Sequence, residues 1–228
     1  MSEGPGGTGS FYGRRKGKAL RPGQDRVLRD VLPTLRLAAG TIARLDQVFA
    51  KPVEAVHLEI GFGGGEHLAS AARAEPRTGF IGCEPFVNGM AKLLAVVQAE
   101  GLDNVRVWDE DATGLIARLP DASIGRVYLL FPDPWPKRRQ RKRRFVSDAS
   151  LAALARVMEP RAELRFATDI DDYAGWALAR VLRSPDFSWP ARRPDDWRQP
   201  WPGWPGTRYE AKALRVDRPA SYLTFVRS

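Results

Sequence analysis

The run Ala55-Val56-His57-Leu58-Glu59-Ile60-Gly61-Phe62-Gly63-Gly64-Gly65-Glu66-His67-Leu68-Ala69 decides the fold. A short, mostly apolar segment ends in glycines and passes straight into helix-forming residues, which predicts strand, tight turn and helix. Glycine there admits positive φ and lets a ligand approach the backbone, while the helix start offers free N–H groups. A tight strand-to-helix turn needs glycine on steric grounds alone, so the assignment depends on how the next strand and its acid are spaced. A second apolar run, Gly79-Phe80-Ile81-Gly82-Cys83, ends in Glu84, about one βαβ unit beyond Glu59. An acid at the end of a second strand is where such folds bind the two hydroxyls of a ribose.

The alternation continues outward from this unit. Residues 87–100 read as a helix stopped by Gly101, and 104–108 as a third strand running into Asp109-Glu110-Asp111. Residues 126–131 read as a fourth strand with Asp133 just beyond it. A helix over 147–158 ends before Pro160, a fifth strand covers 163–168, and a helix follows Asp169-Ile170-Asp171-Asp172. The last strand is expected near 222–226. Sustained strand–helix alternation predicts an α/β, doubly wound, Rossmann-like fold: a mostly parallel sheet, helices on both faces, and an antiparallel C-terminal strand. Open parallel sheets bind ligands at the carboxyl edge of their strands, so Glu59, Glu84, Asp111 and Asp133 are expected to face one crevice.

At 228 residues with 43% hydrophobic content, the chain supports one large domain with a true core. That domain is expected over residues 25–228, behind a flexible basic arm of residues 1–24. In the arm, Phe11 and Tyr12 either stack on bases or pin the arm to the body. Residues 25–37 have helical spacing interrupted by Pro33. Residues 184–210 form a Trp- and Pro-rich insertion on the substrate side, whose tryptophans more often pack a loop onto its domain than stack on bases. No apolar run is long enough to span a bilayer and no apolar segment follows the N-terminal charges, so neither a membrane partner nor a secretory signal is expected, and the location expected is cytoplasmic. With Cys83 the single cysteine and only His57 and His67 as imidazoles, no metal site is expected. The sequence leaves the oligomeric state open between monomer and homodimer, with a monomer the expectation.

The net charge is +9, and residues 137–144 alone hold seven cations, so the rest of the chain carries only +2. With the second cluster at Arg14, Arg15, Lys16, Lys18 and Arg21, this is an electrostatic footprint suited to a polyanion, most simply nucleic acid. The stretch Phe131-Pro132-Asp133-Pro134-Trp135-Pro136-Lys137 leads straight into the cationic run. Three prolines and an aromatic leave few conformations for Asp133, which holds a carboxylate at a fixed place and angle. Standing alone, it would read as a proline-rich turn before a solvated loop.

The glycines of 61–65 are spaced GFGGG, not the GxGxxG of nicotinamide-dinucleotide folds. They resemble the first motif of class I S-adenosylmethionine-dependent methyltransferases. Together with Phe11-Tyr12-Gly13-Arg14-Arg15, LEIGFGGG, GCEPF, FPDPWPK, ATD and the TRYE at 207–210, the chain is similar to the bacterial tRNA (guanine-N7)-methyltransferases, TrmB, over nearly its whole length. The resemblance implies S-adenosyl-L-methionine as cofactor, held by Glu59, Gly61, Gly63, Glu84, Asp111 and Asp133, with Asp133 also the catalytic candidate. It implies substrate contacts from Lys137, Asp169, Thr207, Arg208, Tyr209 and Glu210, and RNA contacts from Arg139, Gln140, Arg141, Lys142, Arg143 and Arg144. Pro136 and Gln140 stand where many members have histidine or, at 140, asparagine. The tRNA partner and methyl transfer to N7 of a variable-loop guanosine, position 46, follow as expectations. Thr207-x-x-Glu210 also has the spacing of a helix capping box. Two other readings stay open: a class I methyltransferase for another RNA, a protein or a small molecule, and a cofactor-free RNA-binding protein of the same fold.

Overall fold

A computed structural model describes residues 13, 15–38, 40 and 42–228. Phe11, Tyr12 and Arg14 lie outside the described residues. Two short helices come first, α1 (Pro22–Asp30) and α2 (Leu32–Leu35). Each has proline in its first turn, where the missing N–H costs nothing. The break between them falls at Val31, ahead of Pro33. A parallel core follows: β1 (Ala55–Ile60), α3 (Glu66–Ala74), β2 (Thr78–Cys83), α4 (Val87–Glu100), β3 (Val105–Trp108), α5 (Ala112–Ile116) and β4 (Ile124–Leu130). The second half adds α6 (Asp148–Val157), β5 (Met158–Thr168), α7 (Asp171–Val181), β6 (Phe187–Ser188), α8 (Asp195–Arg198), α9 (Arg208–Leu214) and β7 (Ser221–Arg227).

Among the described residues the strands form one sheet in the order β3-β2-β1-β4-β5-β7-β6. The first five run parallel, and β7 pairs antiparallel with β5 and with β6. This is the expected α/β architecture, and the order reverses between β1 and β4, which puts a crevice at the carboxyl ends of these two strands. Alternate residues of β4 serve opposite layers. Val127 and Leu129 pack with α5, α6 and α7, while Tyr128 and Leu130 pack with α3 and α4. Both faces are therefore covered, as parallel strands require. Phe80, Phe166, Tyr173 and Phe225 are fully buried, each contributing roughly 1.5–3 kcal/mol of hydrophobic stabilisation.

Three differences from the sequence reading have local causes. β5 starts at Met158, earlier than expected, because a register shift against β4 between Ile124 and Arg126 accommodates Pro160. A two-residue strand, β6, lies inside the Trp/Pro segment. The flexible-arm expectation for residues 1–24 does not describe its last part: Val87 N–H donates to the Arg15 carbonyl at 3.0 Å, Gly17 N–H to Asn88 Oδ1 at 2.8 Å, and Asn88 Nδ2 to the Lys18 carbonyl at 2.8 Å. Residues 15–18 are thus strapped across the start of α4. No described helix is long and apolar enough to cross a membrane.

Candidate active site

The glycine turn leaves β1 with Gly61 at φ 72° and Gly63 at φ 58°, values glycine adopts without penalty. The turn is braced from below by α4. A Cβ placed on Gly89 would lie 2.0 Å from the Gly63 carbonyl oxygen, so that glycine is what lets helix and turn touch. Glu84, past the end of β2, is buried and accepts the N–H groups of Gly63 at 2.7 Å and Phe86 at 2.9 Å. Burial pushes its carboxyl above the ordinary carboxylate range, the two N–H donors partly offset that, and the charges of Asp133 and Arg208 act in opposite directions on it.

Asp133 follows β4 in a strained loop. Phe131 and Trp135, two residues to either side, both have positive φ, 49° and 41°. Bulky residues rarely occupy that region, and such strain, at a cost of order 1–3 kcal/mol each, persists only where the surroundings over-determine it. Asp133 itself is accessible to solvent, yet the loop around it desolvates its carboxyl enough to raise the pKa.

The other two edge acids are differently placed. Glu59 is buried and meets His67 Nδ1 at 2.7 Å, because its side chain projects from the central strand onto α3. Asp111 caps α5 by accepting the Thr113 N–H at 2.8 Å. The four acids therefore share the carboxyl edge of the sheet, while Glu59 and Asp111 are already engaged by partners of their own.

On the substrate side, Thr207 and Glu210 form the capping box of α9. Glu210 also receives Trp204 Nε1 at 2.8 Å and the Tyr222 hydroxyl. This network seats the start of α9 over the glycine turn: a Cβ on Gly63 would meet the Tyr209 ring at 3.1 Å and the Arg208 guanidinium at 3.2 Å. Asp169 is ion-paired with Arg218 at 3.0 Å. Lys137 and Arg139 are exposed at the start of the basic turn.

One member of the expected RNA-contacting run must be corrected. Arg144 has a fully buried side chain, paired with Asp172, stacked near Tyr173 and Trp176, and donating from Nε to the Pro134 carbonyl at 2.8 Å. It clamps the Asp133 loop onto α7 and does not reach a phosphate at the surface. Arg141 also binds Asp172, at 2.6 Å, but stays partly exposed.

A family model described as "Putative methyltransferase" matches residues 53–223. A tRNA (guanine-N(7)-)-methyltransferase of Brucella anthropi is 53% identical over 223 residues, covering 97% of this chain and 96% of that protein. The chain belongs to this methyltransferase family. Relatives of the same description from Chelativorans sp. (52% identical; 96% of each chain) and Rhodopseudomonas palustris (53%; 97% of this chain, 84% of the relative) agree. Among solved structures, the 16S rRNA methyltransferase KamB matches with TM-score 0.58 at 20% identity, over 77% of this chain and 89% of its own. A putative methyltransferase from Streptococcus mutans in complex with SAH matches with TM-score 0.51 at 9% identity, over 77% and 90%. These likenesses show the shared class I methyltransferase fold.

The methyltransferase has a cavity of about 680 Å³ bounded by Glu84, Pro85, Met90, Leu28, Leu32 and the strap at Lys16. Its lining is mixed: Glu84 is the buried acid, Leu28, Leu32, Val87 and Met90 supply apolar surface, and Lys16, Lys18, Asp25 and Asn88 complete the wall. A buried acid beside an apolar surface suits the two hydroxyls and flat ring of an adenosine, and the volume is that of a ligand pocket. Of the residues expected to hold the cofactor, Glu84 lines it; Glu59, Gly61, Gly63, Asp111 and Asp133 do not. Asp109, two residues before Asp111, does line it and is held by Arg36 through two hydrogen bonds of 2.6–2.7 Å. His67, Asn88 and Gly89 were missed by the sequence reading. Gly89 alone had a signal, as a glycine in the first turn of an otherwise apolar helix.

Proposed function

We propose that this protein transfers the methyl group of S-adenosyl-L-methionine to N7 of a guanosine in the tRNA variable loop, position 46 in this family. The observation that carries the reading is the 53% identity across 97% of the chain to a tRNA (guanine-N(7)-)-methyltransferase. The geometry supports it. Glu84 lines a nucleoside-sized cavity as its ribose-binding acid and accepts the Gly63 N–H, which ties the Gly61–Gly63 turn to it, and Glu59 and Asp111 stand at the same sheet edge. When bound, the cofactor supplies an electrophilic methyl group.

Guanine N7 carries a lone pair and no proton, so attack needs neither a strong base nor an activated nucleophile, and alignment is the main task. Positive charge builds on the ring during transfer. A carboxylate held next to it stabilises the transition state more than the neutral base, and this role falls to Asp133; its restrained loop supports the assignment. Its partial desolvation strengthens the effect, since a carboxylate stripped of water interacts more strongly with a cation. Lys137, Asp169, Arg208 and Tyr209 provide substrate contacts, Asp169 by exchanging Arg218 for donors on the guanine edge. Thr207 and Glu210 hold Arg208 and Tyr209 over the glycine turn. Arg139, Gln140, Arg141, Lys142 and Arg143 contribute to RNA binding. The protein acts in the cytoplasm.

Incubation of the purified protein with a tRNA transcript and methyl-labelled cofactor, followed by mapping of 7-methylguanosine, tests this. Label is expected at the variable-loop guanosine and is lost when that base is replaced. An unlabelled transcript that contains the guanosine overturns the reading.

A further inference from the structure

Beside the basic turn lies a second cavity, of about 500 Å³, whose walls include Arg138, Arg141 and Lys142 on one side and Trp176 and Arg180 of α7 on the other. Arg180 sits face-on against Trp176, its guanidinium carbon 3.2 Å from the ring centroid, and one Nη1 donates to the Trp176 carbonyl at 3.3 Å. Stacking occupies the face of the guanidinium and leaves in-plane donors for an anion. Arg141 Nε is buried without a hydrogen-bond partner, although Arg141 Nη2 is used by Asp172. Among the described carboxylates nearby, Asp172 is shared by Arg141 and Arg144, and Asp148 lies 3.6 Å from Arg183. Arg138, Arg141, Lys142 and Arg180 thus surround a cavity whose nearby acids are already taken.

We propose that this cavity binds one backbone phosphate of the RNA substrate, with Arg180 as a ligand that the basic run in the sequence does not reveal; the inference rests on the tRNA reading above. Converging guanidinium forks match a phosphate's oxygens, and the Trp176 face is covered by Arg180, which leaves no aromatic platform for a base. The cavity wall is also tied to the chemistry. Arg144 lines the cavity and holds the Pro134 carbonyl, so a phosphate seated here fixes the strand relative to the loop that carries Asp133.

The test uses the full chain and an unmodified tRNA transcript, with methylation kinetics and filter binding over a range of salt concentrations. The variants are Arg180→Ala, Arg138→Ala from the opposite wall, the double variant, and Arg183→Ala as a control that removes the same charge outside the cavity. Each cavity variant is expected to raise the KM for tRNA roughly tenfold, as one lost charge-assisted contact does, with the loss falling on KM and not on kcat. The log–log salt slope should fall by about one. The double variant should lose less than the product of the singles, because both arginines hold one phosphate. Arg180→Ala matching Arg183→Ala, or losses that simply multiply, overturns the inference. So does calorimetric binding of inorganic phosphate that Arg180→Ala abolishes while the KM for tRNA stays unchanged, which would assign the cavity to a free anion. A wild-type protein that leaves tRNA unmethylated overturns the functional reading and the inference with it, whereas a methylating wild type with an unaffected Arg180→Ala overturns the inference alone.

Discussion

Arg144 Nε donates to the carbonyl of Pro134 at 2.8 Å, one residue from Asp133, while its guanidinium is buried between Tyr173, Trp176 and Asp172. The last cation of the basic run is therefore part of the frame that holds the candidate catalytic loop. Arg144→Ala should behave unlike its neighbours. It removes a packed, buried side chain and leaves the part-buried Pro134 carbonyl without its donor, for a loss of about 2–3 kcal/mol in urea unfolding, with turnover falling as the loop loosens. Arg139→Ala, at an exposed position, should leave stability within about 0.5 kcal/mol and weaken tRNA binding only. Equal stability of the two variants would refute the clamp.

Asp133→Asn separates catalysis from binding. Burial raises the Asp133 carboxyl, so the folded protein retains that proton to higher pH than the unfolded chain does, and ionising it costs stability as pH rises through the folded value. The amide should thus be at least as stable as wild type at neutral pH. Turnover should fall about a hundredfold with tRNA affinity within a few fold, because an amide cannot oppose the ring's developing charge. The acid limb of wild-type kcat/KM, which reports the free enzyme, should sit above the ordinary aspartate range and vanish in the variant. Equal losses in kcat and affinity would make Asp133 a binding residue instead.

The glycine turn and Glu84 were legible because spacing determines them: an apolar run, glycines and an acid one unit later leave few alternatives to a βαβ crevice. The clamp and the strap were not. Arg144 reads as one more charge in a solvated run, since its partners Asp172 and Trp176 lie about thirty residues further on and become neighbours only when α7 packs. Residues 15–18 have glycine and lysine but no apolar pattern, and they are held by the Asn88 side chain and the Val87 N–H at the start of α4. Positive φ at Phe131 and Trp135 goes against their local preference, so no reading of residue types would place strain there. The capping box at Thr207 was legible, but Trp204 and Tyr222 closing on Glu210 depends on the antiparallel β7 coming alongside.

Gly89→Ala should injure the cofactor site although helix propensity favours alanine. Its Cβ would fall 2.0 Å from the Gly63 carbonyl, so either α4 or the glycine turn must shift. A stability loss of about 1–3 kcal/mol is expected, with weakened S-adenosylmethionine binding by calorimetry as the Gly63–Glu84 hydrogen bond is displaced. Gly175→Ala on α7 is the contrast. It is exposed with open space at its Cβ position, and should stabilise by about 0.5–1 kcal/mol. Loss at Gly175, or unchanged cofactor affinity at Gly89, would refute the contact argument.

His57 sets an acid limit on the fold. It is buried on β1 beside Phe80 and Tyr128, and its pKa is pushed down from 6.5 to about 3, by burial first and then by the charges of Arg126, Arg165 and His67. In the unfolded chain it takes a proton near the ordinary value. Below that value the unfolded state binds more protons than the native state, so stability falls with falling pH until the folded value is reached. This one group contributes about 2 kcal/mol of loss between roughly pH 7 and pH 5. That window lies well above the folded pKa, so its size is set by the unfolded value. His57→Leu should flatten the pH dependence of the urea midpoint by that amount over the same interval, relative to wild type. Parallel pH profiles for the two proteins would show that His57 takes up its proton in the folded state as readily as in the unfolded one.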